Sequence, residues 1–472
     1  MDLDDTLIRT DILWESLVQL WRRPVVALSA ATALLLRGKA AFKAVLAGQI
    51  SIDPASLPYR EDVIEFLRAE RAKGRDLVLA TATHRIVAEQ IAGHLGLFSR
   101  CFATEGEVNL SGANKGAALV AAYGRYGFDY IGDSRKDFPI FASARESMLV
   151  DPPQSLLRQV STVTKVARIF STKRSKIKIV LRAMRVHQWT KNLLLAVPLL
   201  AAHMVLDFQA WTAVTAAFLG FCLVASATYL VNDLVDLRSD RLHAHKRFRP
   251  LASGNLPIQY GIIMAVALAL LGFALSTTFL SSSFVTYLTA YVVLTLAYSF
   301  DLKRRLLVDV LALAVLYTLR ILAGGVAIGV VVSEWLLMLS LFIFVSLAFL
   351  KRFIELKGAV GGARVSGRGY SAVDIESIRG VGTSSGLISV LVLSLYIGSP
   401  AVGQLYQSPQ LLWLVCPLLI YWISRIWFMA ARGEVHHDPV VFALLDWRSY
   451  VVGACGLATF LLAKIGLAGL QW

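Results

Sequence analysis

Residues 212–240 read TAVTAAFLGFCLVASATYLVNDLVDLRSD, an uncharged apolar run that ends in Asp233, Asp236 and Asp240. A helix over the apolar part is long enough to cross the ~30 Å hydrocarbon layer of a bilayer. Continued past Asn232, the same helix carries the three carboxylates at i, i+3 and i+7, on one face. Like charges on one face repel, and a bridging divalent cation would relieve them. Acids at the mouth of a membrane bundle are expensive to keep and mark a functional site.

Working outward, comparable apolar runs lie near 193–206, 261–280, 283–299, 306–330, 334–350, 386–400, 409–430 and 449–468, so about nine transmembrane helices are expected. With a cytoplasmic amino terminus, the loops after spans two, four, six and eight fall inside. Those loops hold Arg238, Arg241, Lys246, Arg247 and Arg249; Lys303, Arg304 and Arg305; Lys351, Arg352, Lys357, Arg364, Arg368 and Arg379; and Arg432. The opposite loops carry no Lys or Arg, Lys464 being the nearest exception, as the positive-inside rule requires. A second acidic cluster, Tyr298-Ser299-Phe300-Asp301-Leu302-Lys303-Arg304-Arg305-Leu306-Leu307-Val308-Asp309, puts cations between Asp301 and Asp309.

Composition agrees. Of 472 residues, 56% are hydrophobic and 17% charged, against roughly 25% charged in soluble domains, which excludes a purely soluble protein. Lys and Arg number 47 against 32 Asp and Glu, a net charge of +15. Cys101, Cys222, Cys416 and Cys455 are too far apart for a disulfide framework or a thiolate metal site. Residues 1–10 lack a basic start and an apolar core, so no secretory signal is expected.

The first 165 residues are of another kind. Asp2-Leu3-Asp4-Asp5-Thr6 sets carboxylates at i and i+2, which at a strand end face one side of a sheet's carboxyl edge. An apolar strand ending in a hydroxyl follows (Leu77-Val78-Leu79-Ala80-Thr81), then Lys115 in NKGAALVAAYG, then Tyr130-Ile131-Gly132-Asp133-Ser134-Arg135-Lys136-Asp137. In this order the four motifs resemble the haloacid dehalogenase superfamily of phosphatases. The resemblance implies a Rossmann-like α/β domain over 1–165 with a helical cap at about 8–75. It implies Mg²⁺ held by Asp2, the carbonyl of Asp4 and Asp133, with Asp137 in support. Asp2 is then the nucleophile and Asp4 the acid and base; Thr81 (or Thr83) and Lys115 hold the transferring oxygens. In that family the nucleophile ends a buried strand, whereas only Met1 precedes Asp2; an upstream start is expected, with truncation or a missing strand as alternatives. Inside the cap, the apolar run Val25–Leu36 is too short to span and is flanked by Arg22, Arg23, Arg37 and Lys39. It is open to lying in the membrane interface or to packing on a neighbouring cap helix.

Residues 166–185 read as a basic juxtamembrane linker, and 186–472 as the membrane domain. The two acidic motifs resemble the UbiA superfamily of intramembrane prenyltransferases, whose acids bind Mg²⁺ and a diphosphate. Arg185-Val186-His187-Gln188-Trp189-Thr190-Lys191-Asn192, the stretch His243 to Gly254, Leu302-Lys303 and Lys351-Arg352-Phe353-Ile354-Glu355-Leu356 draw the resemblance toward the decaprenyl-phosphate phosphoribosyltransferases. That branch implies metal ligation by Asp233, Asp236, Asp240 and Asp309, rather than Asp301. It implies substrate binding by Asn232, Lys191, Asn192, Lys246, Arg247, Arg249, Lys303 and Arg320, because phosphoribosyl diphosphate adds a second phosphate that needs fixed cations.

The expected activity is transfer of 5-phosphoribose from phosphoribosyl diphosphate to polyprenyl phosphate, the N-terminal site then removing the 5-phosphate. Partners are the two substrates and the membrane, with no nucleic acid, and both sites face the cytoplasm from the inner membrane. The alternative is a transferase using a prenyl diphosphate donor, fused to a separate or non-catalytic phosphatase-like domain. His436, His437 and Asp438 resemble metal ligands locally and read as a solvated loop.

Overall fold

The computed structural model describes residues 1–20, 23–106, 109–171, 175–358, 369–435 and 438–466. Arg22, Arg364, Arg368, His436 and His437 lie outside them. The chain divides into two compact units, Met1–Met184 with Tyr229–Ala265, and Arg185–Thr228 with Val266–Trp472.

The first unit contains two parallel ladders, β1 (Val78–His84) with β2 (Arg100–Thr104), and β3 (Tyr130–Gly132), β4 (Glu146–Val150) and β5 (Lys165–Phe170) in that order. Residues 1 and 2 bridge them: Ala80 N–H donates to Met1 O (2.8 Å) and Asp2 N–H to Ile131 O (3.0 Å). Alternation along the strands builds two cores. Leu79, Ile131, Met148 and Val150 face a cluster with Leu3, Leu7, Val63 and Ile91, while Ala80, Tyr130 and Leu149 face one with Leu119, Phe141 and Leu156. A period of two thus makes a three-layer α/β domain. Lys165–Phe170, which the sequence reading divides between domain and linker, forms its fifth strand.

Helices α1 (Ile12–Gln19), α2 (Pro24–Gln49) and α3 (Glu61–Ala72) precede β1. Asp11 caps α1 by accepting from Leu13 N–H, and α2 breaks at Gly38, whose φ of 80° a glycine tolerates. On α2, Ala30 packs with Leu46 and Ile50, whereas Val25, Leu28, Leu35 and Leu36 are exposed. Helices α4 (Arg85–Leu95) and α5 (Ala113–Tyr123) cross over between strands.

Among the described residues eight helices are long and apolar enough to cross a membrane: Phe208–Val235, Ile258–Phe279, Ser282–Phe300, Val308–Ala327, Glu334–Lys357, Ala372–Ile397, Pro409–Arg432 and Trp447–Ile465. The first expected span, 193–206, differs. It runs as a 3₁₀ stretch (Val186–Ala196) and a short helix (Val197–Ala201), being short of a bilayer's thickness and carrying Pro198 at a helix start. The span expected at 334–350 continues to Lys357, which puts Lys351, Arg352 and Glu355 on helix rather than in a loop. In the second unit Val310, Ala314, Tyr317 and Ile321 recur at helical spacing and pack against Phe344, Ala348, Ile378, Ile423 and Trp427 in one core.

Candidate functional site

In the first unit the four N-terminal motifs converge. Asp2 sits where residues 1–2 bridge β1 and β3, and its Oδ1 accepts from Leu3 N–H at 2.8 Å. Lys115, on the first turn of α5, reaches Asp2 Oδ2 at 2.8 Å and Asp137 Oδ1 at 2.9 Å, with all three side chains nearly buried. Thr6 Oγ1 donates to Asp133 Oδ1 at 2.9 Å. Carboxylate oxygens of Asp2, Asp133 and Asp137 lie within 4.8 Å of one another, so the set fits a hard divalent cation. Gly132 is required by the crowding: a Cβ there would stand 2.7 Å from the Tyr130 ring and 3.0 Å from Asp137 Oδ2.

Burial, reinforced by Asp137 against the pull of Lys115, pushes the Asp2 carboxyl up to about 7. Burial and the charges of Asp2, Asp5 and Asp137 push Asp133 up to about 8. Asp4 points elsewhere. Its Oδ1 accepts from Ile12 N–H (2.9 Å) and its Oδ2 from Thr83 Oγ1 (2.8 Å) and Thr81 Oγ1 (3.4 Å). Burial and then Asp11 raise Asp4 to about 6. Lys43, from the cap helix α2, donates to Ala82 O (2.6 Å) and Asn109 Oδ1 (3.0 Å); no sequence motif marked it.

The same unit holds the first acidic motif of the membrane part. Arg249 Nη1 joins Asp233 Oδ1 (3.1 Å) and Asp240 Oδ2 (2.5 Å), bringing three expected site residues together, and both acids are buried. Asn232 and Asp236 are half-buried on the same turns, whereas Lys246 and Arg247 are exposed. Arg241, one residue past Asp240, is gripped by Glu15 of α1 at 3.1 and 2.6 Å and donates to Ala252 O at 3.0 Å. Thr10 Oγ1 completes the Glu15 carboxylate at 2.6 Å.

In the second unit Asp309 is fully buried on the first turn of its helix and ion-paired with Arg352 Nε at 2.7 Å. Tyr370 Oη donates to its other oxygen at 2.5 Å. Asp301, by contrast, is exposed and paired with Arg305 at 2.7 Å. Asn192 and Arg320 are brought together: Arg320 Nε donates to Asn192 Oδ1 at 2.8 Å and Nη2 to Tyr291 Oη at 3.1 Å. Lys303 is buried at the start of the second motif's turn. Asp438 corrects the reading of its loop as solvated. Only 12% of its side chain is exposed, and it bridges Lys191 (2.9 Å) and Lys351 (3.1 Å). Burial alone would raise the Asp438 carboxyl, but Lys351 and Lys191 outweigh it and hold the group well below the usual carboxylate range. Arg352 lies in the Lys351–Leu356 stretch, where nothing in the sequence gives it a role, and no motif marks Tyr370.

The UbiA prenyltransferase family matches residues 193–462, and the haloacid dehalogenase-like hydrolase family matches residues 1–142. The uncharacterized protein y4nM of Sinorhizobium fredii is 37% identical over 98% of this chain and 90% of its own. Nodulation protein NoeC of Azorhizobium caulinodans is 35% identical over 57% of this chain and 88% of its own. The decaprenyl-phosphate phosphoribosyltransferase of Corynebacterium glutamicum is 38% identical over 37% of this chain and 54% of its own. With two acid-bearing sites on an α/β unit and a set of membrane-spanning helices, the chain belongs to the UbiA prenyltransferase family and carries a haloacid dehalogenase-like domain at residues 1–142.

Proposed function

We propose that this integral membrane enzyme transfers 5-phosphoribose from phosphoribosyl diphosphate to a polyprenyl phosphate, and that its N-terminal site hydrolyses the 5-phosphate of the lipid-linked product. The observation that carries the second half is the buried convergence of Asp2 and Asp137 on Lys115, with a carboxylate oxygen of Asp133 within 4.8 Å of theirs. The first half rests on the cations around the membrane acids and on likeness to proteins named decaprenyl-phosphate phosphoribosyltransferase. Both sites would face the cytoplasm from the inner membrane.

In the phosphatase step an Asp2 oxygen attacks phosphorus and the bond from phosphorus to the ribose O5 breaks. Asp4, raised to about 6, is suited to give its proton to that O5 and later to take one from the water that splits the aspartyl phosphate. Thr81 or Thr83 and Lys115 hold the non-bridging oxygens. Mg²⁺ on Asp2, the Asp4 carbonyl, Asp133 and Asp137 would neutralise the phosphate's charge.

In the transferase step the bond from ribose C1 to the diphosphate breaks as a polyprenyl-phosphate oxygen bonds to C1. The acceptor is already an anion and needs no strong base. Asp233, Asp236, Asp240 and Asp309 would hold Mg²⁺, which would draw charge from the leaving diphosphate; that Asp233 and Asp240 converge on one cation, Arg249, supports their sharing a metal. Asn232, Lys191, Asn192, Lys246, Arg247, Arg249, Lys303 and Arg320 would bind the donor's phosphates and ribose.

The test supplies membranes containing the protein with phosphoribosyl diphosphate labelled in the ribose and the 5-phosphate, polyprenyl phosphate and Mg²⁺. Ribose label is expected in the lipid fraction, followed by release of inorganic phosphate. Asp233→Asn should abolish the first and Asp2→Asn only the second. Consumption of a prenyl diphosphate donor with no ribose in lipid would overturn the phosphoribosyl reading.

A further inference from the structure

The first unit contains a cavity of about 760 Å³, of whose charged lining the proposed reactions use Arg247 alone. Five cationic side chains line it, Arg9, Lys178, Arg182, Arg241 and Arg247, against one acid, Glu61. Arg241 pairs with Glu15 and Arg9 with Asn255, so both shape the wall; Lys178, Arg182 and Arg247 are exposed, and the lining's cations outnumber its one acid. A cleft lined by one sign of charge concentrates ligands of the other.

The walls come from telling places. Arg9 lies on the turn that follows the Asp2–Thr6 motif, where Asp5 N–H donates to Thr10 O and Asp4 accepts from Ile12 N–H. Asn255 and Ser253 lie on the loop that follows the Asp233–Asp240 motif, and Arg9 Nη1 reaches Asn255 Oδ1 at 3.4 Å. The two loops touch backbone to backbone at Gly254: with φ at +67°, a Cβ there would stand 2.2 Å from Arg9 O. Lys178 and Arg182 enter from the helix Lys176–Ala183, one turn apart on one face. The cavity is therefore walled in part by the segments immediately downstream of the Asp2–Thr6 and Asp233–Asp240 motifs.

We propose that this cavity binds a phosphate-bearing head group, the phosphate lying among Arg9, Lys178 and Arg182. The group expected is a pentose phosphate, the head of a lipid-linked intermediate held between its formation and its hydrolysis. That choice of sugar rests on the proposed function; the anion site itself does not. An anionic phospholipid offers the same phosphate chemistry.

The test is binding without turnover. Full-length protein in neutral detergent with EDTA is dialysed to equilibrium against labelled ribose 5-phosphate. Saturable binding is expected, weakened about tenfold or more in Arg9→Gln/Lys178→Gln/Arg182→Gln, with an intermediate loss in Lys178→Gln/Arg182→Gln, whose two positions are exposed. Lys176→Gln removes a charge from the same helix outside the cavity and should bind as the parent does. A melting transition like the parent's shows that the triple variant is folded. Displacement by inorganic phosphate but not by phosphatidylglycerol micelles assigns the site to the sugar phosphate; displacement by phosphatidylglycerol and not by phosphatidylcholine assigns it to a lipid head group. Equal binding by parent and triple variant overturns the site. Binding that persists where no ribose reaches lipid overturns the proposed transfer and leaves the site standing.

Discussion

The acids at residues 2–137 and those at residues 233–309 face different company. In the N-terminal cluster Asp2 and Asp137 share one ammonium while Asp133, among the described residues, has only the Thr6 hydroxyl, and burial with mutual repulsion lifts Asp2 to about 7 and Asp133 to about 8. In the membrane part each buried acid already meets a guanidinium: Asp233 and Asp240 on Arg249, Asp309 on Arg352. The first arrangement has a surplus of anions and favours the arrival of a cation alone. In the second every buried carboxylate already touches a guanidinium, Asp233 and Asp240 sharing one and Asp309 sharing the other with Glu355.

Four measurements break or sharpen that contrast. The largest effect is expected in catalysis: Asp2→Asn should cut phosphate release about 10⁴-fold while ribose transfer to lipid continues, because losing a nucleophile removes a whole route. Next is stability. Arg352→Met leaves Asp309 buried without its cation and should cost about 3–5 kcal/mol, read as a lowered melting transition in detergent. Asp309→Asn with Arg352→Met should recover much of that loss, and equal damage in single and double variants would show that the pair is not balanced. Third, Mg²⁺ at about a hundredfold its dissociation constant should stabilise the N-terminal domain by about 2.7 kcal/mol, an effect absent in Asp133→Asn.

The smallest effect concerns pH. The folded Asp438 carboxyl lies below its unfolded value, burial opposing and Lys351 and Lys191 prevailing. Its contribution is therefore present above the unfolded value of about 4 and is lost as pH falls below it. Melting followed from pH 7 to pH 3 should show a slope that flattens in Asp438→Asn.

What could be read from the chain and what could not follows from sequence distance. The N-terminal acids, Lys115 and the strand alternation are local patterns in a fixed order, so the domain and its cluster were legible. The partners of the membrane acids were less so. Arg352 meets Asp309 from another helix, and Tyr370 arrives from a segment with no motif. Asp438 follows two histidines in a short polar stretch, which reads as solvated until two lysines from distant segments close on it. The helix Ile375–Ile397 begins with IESIRGVGTSSG, too polar to register as a span, and so starts earlier than hydropathy places it.

Arg241 and Glu15 stand 226 residues apart, yet form a nearly buried bidentate pair. Replacing either residue alone strands the other's charge, so neither position drifts freely. Chains that keep both domains should change positions 15 and 241 in step, and transferases lacking an N-terminal partner should show no such constraint at the position after the last acid of their first motif. The joining of the two domains would then be legible in two residues that take part in neither proposed reaction.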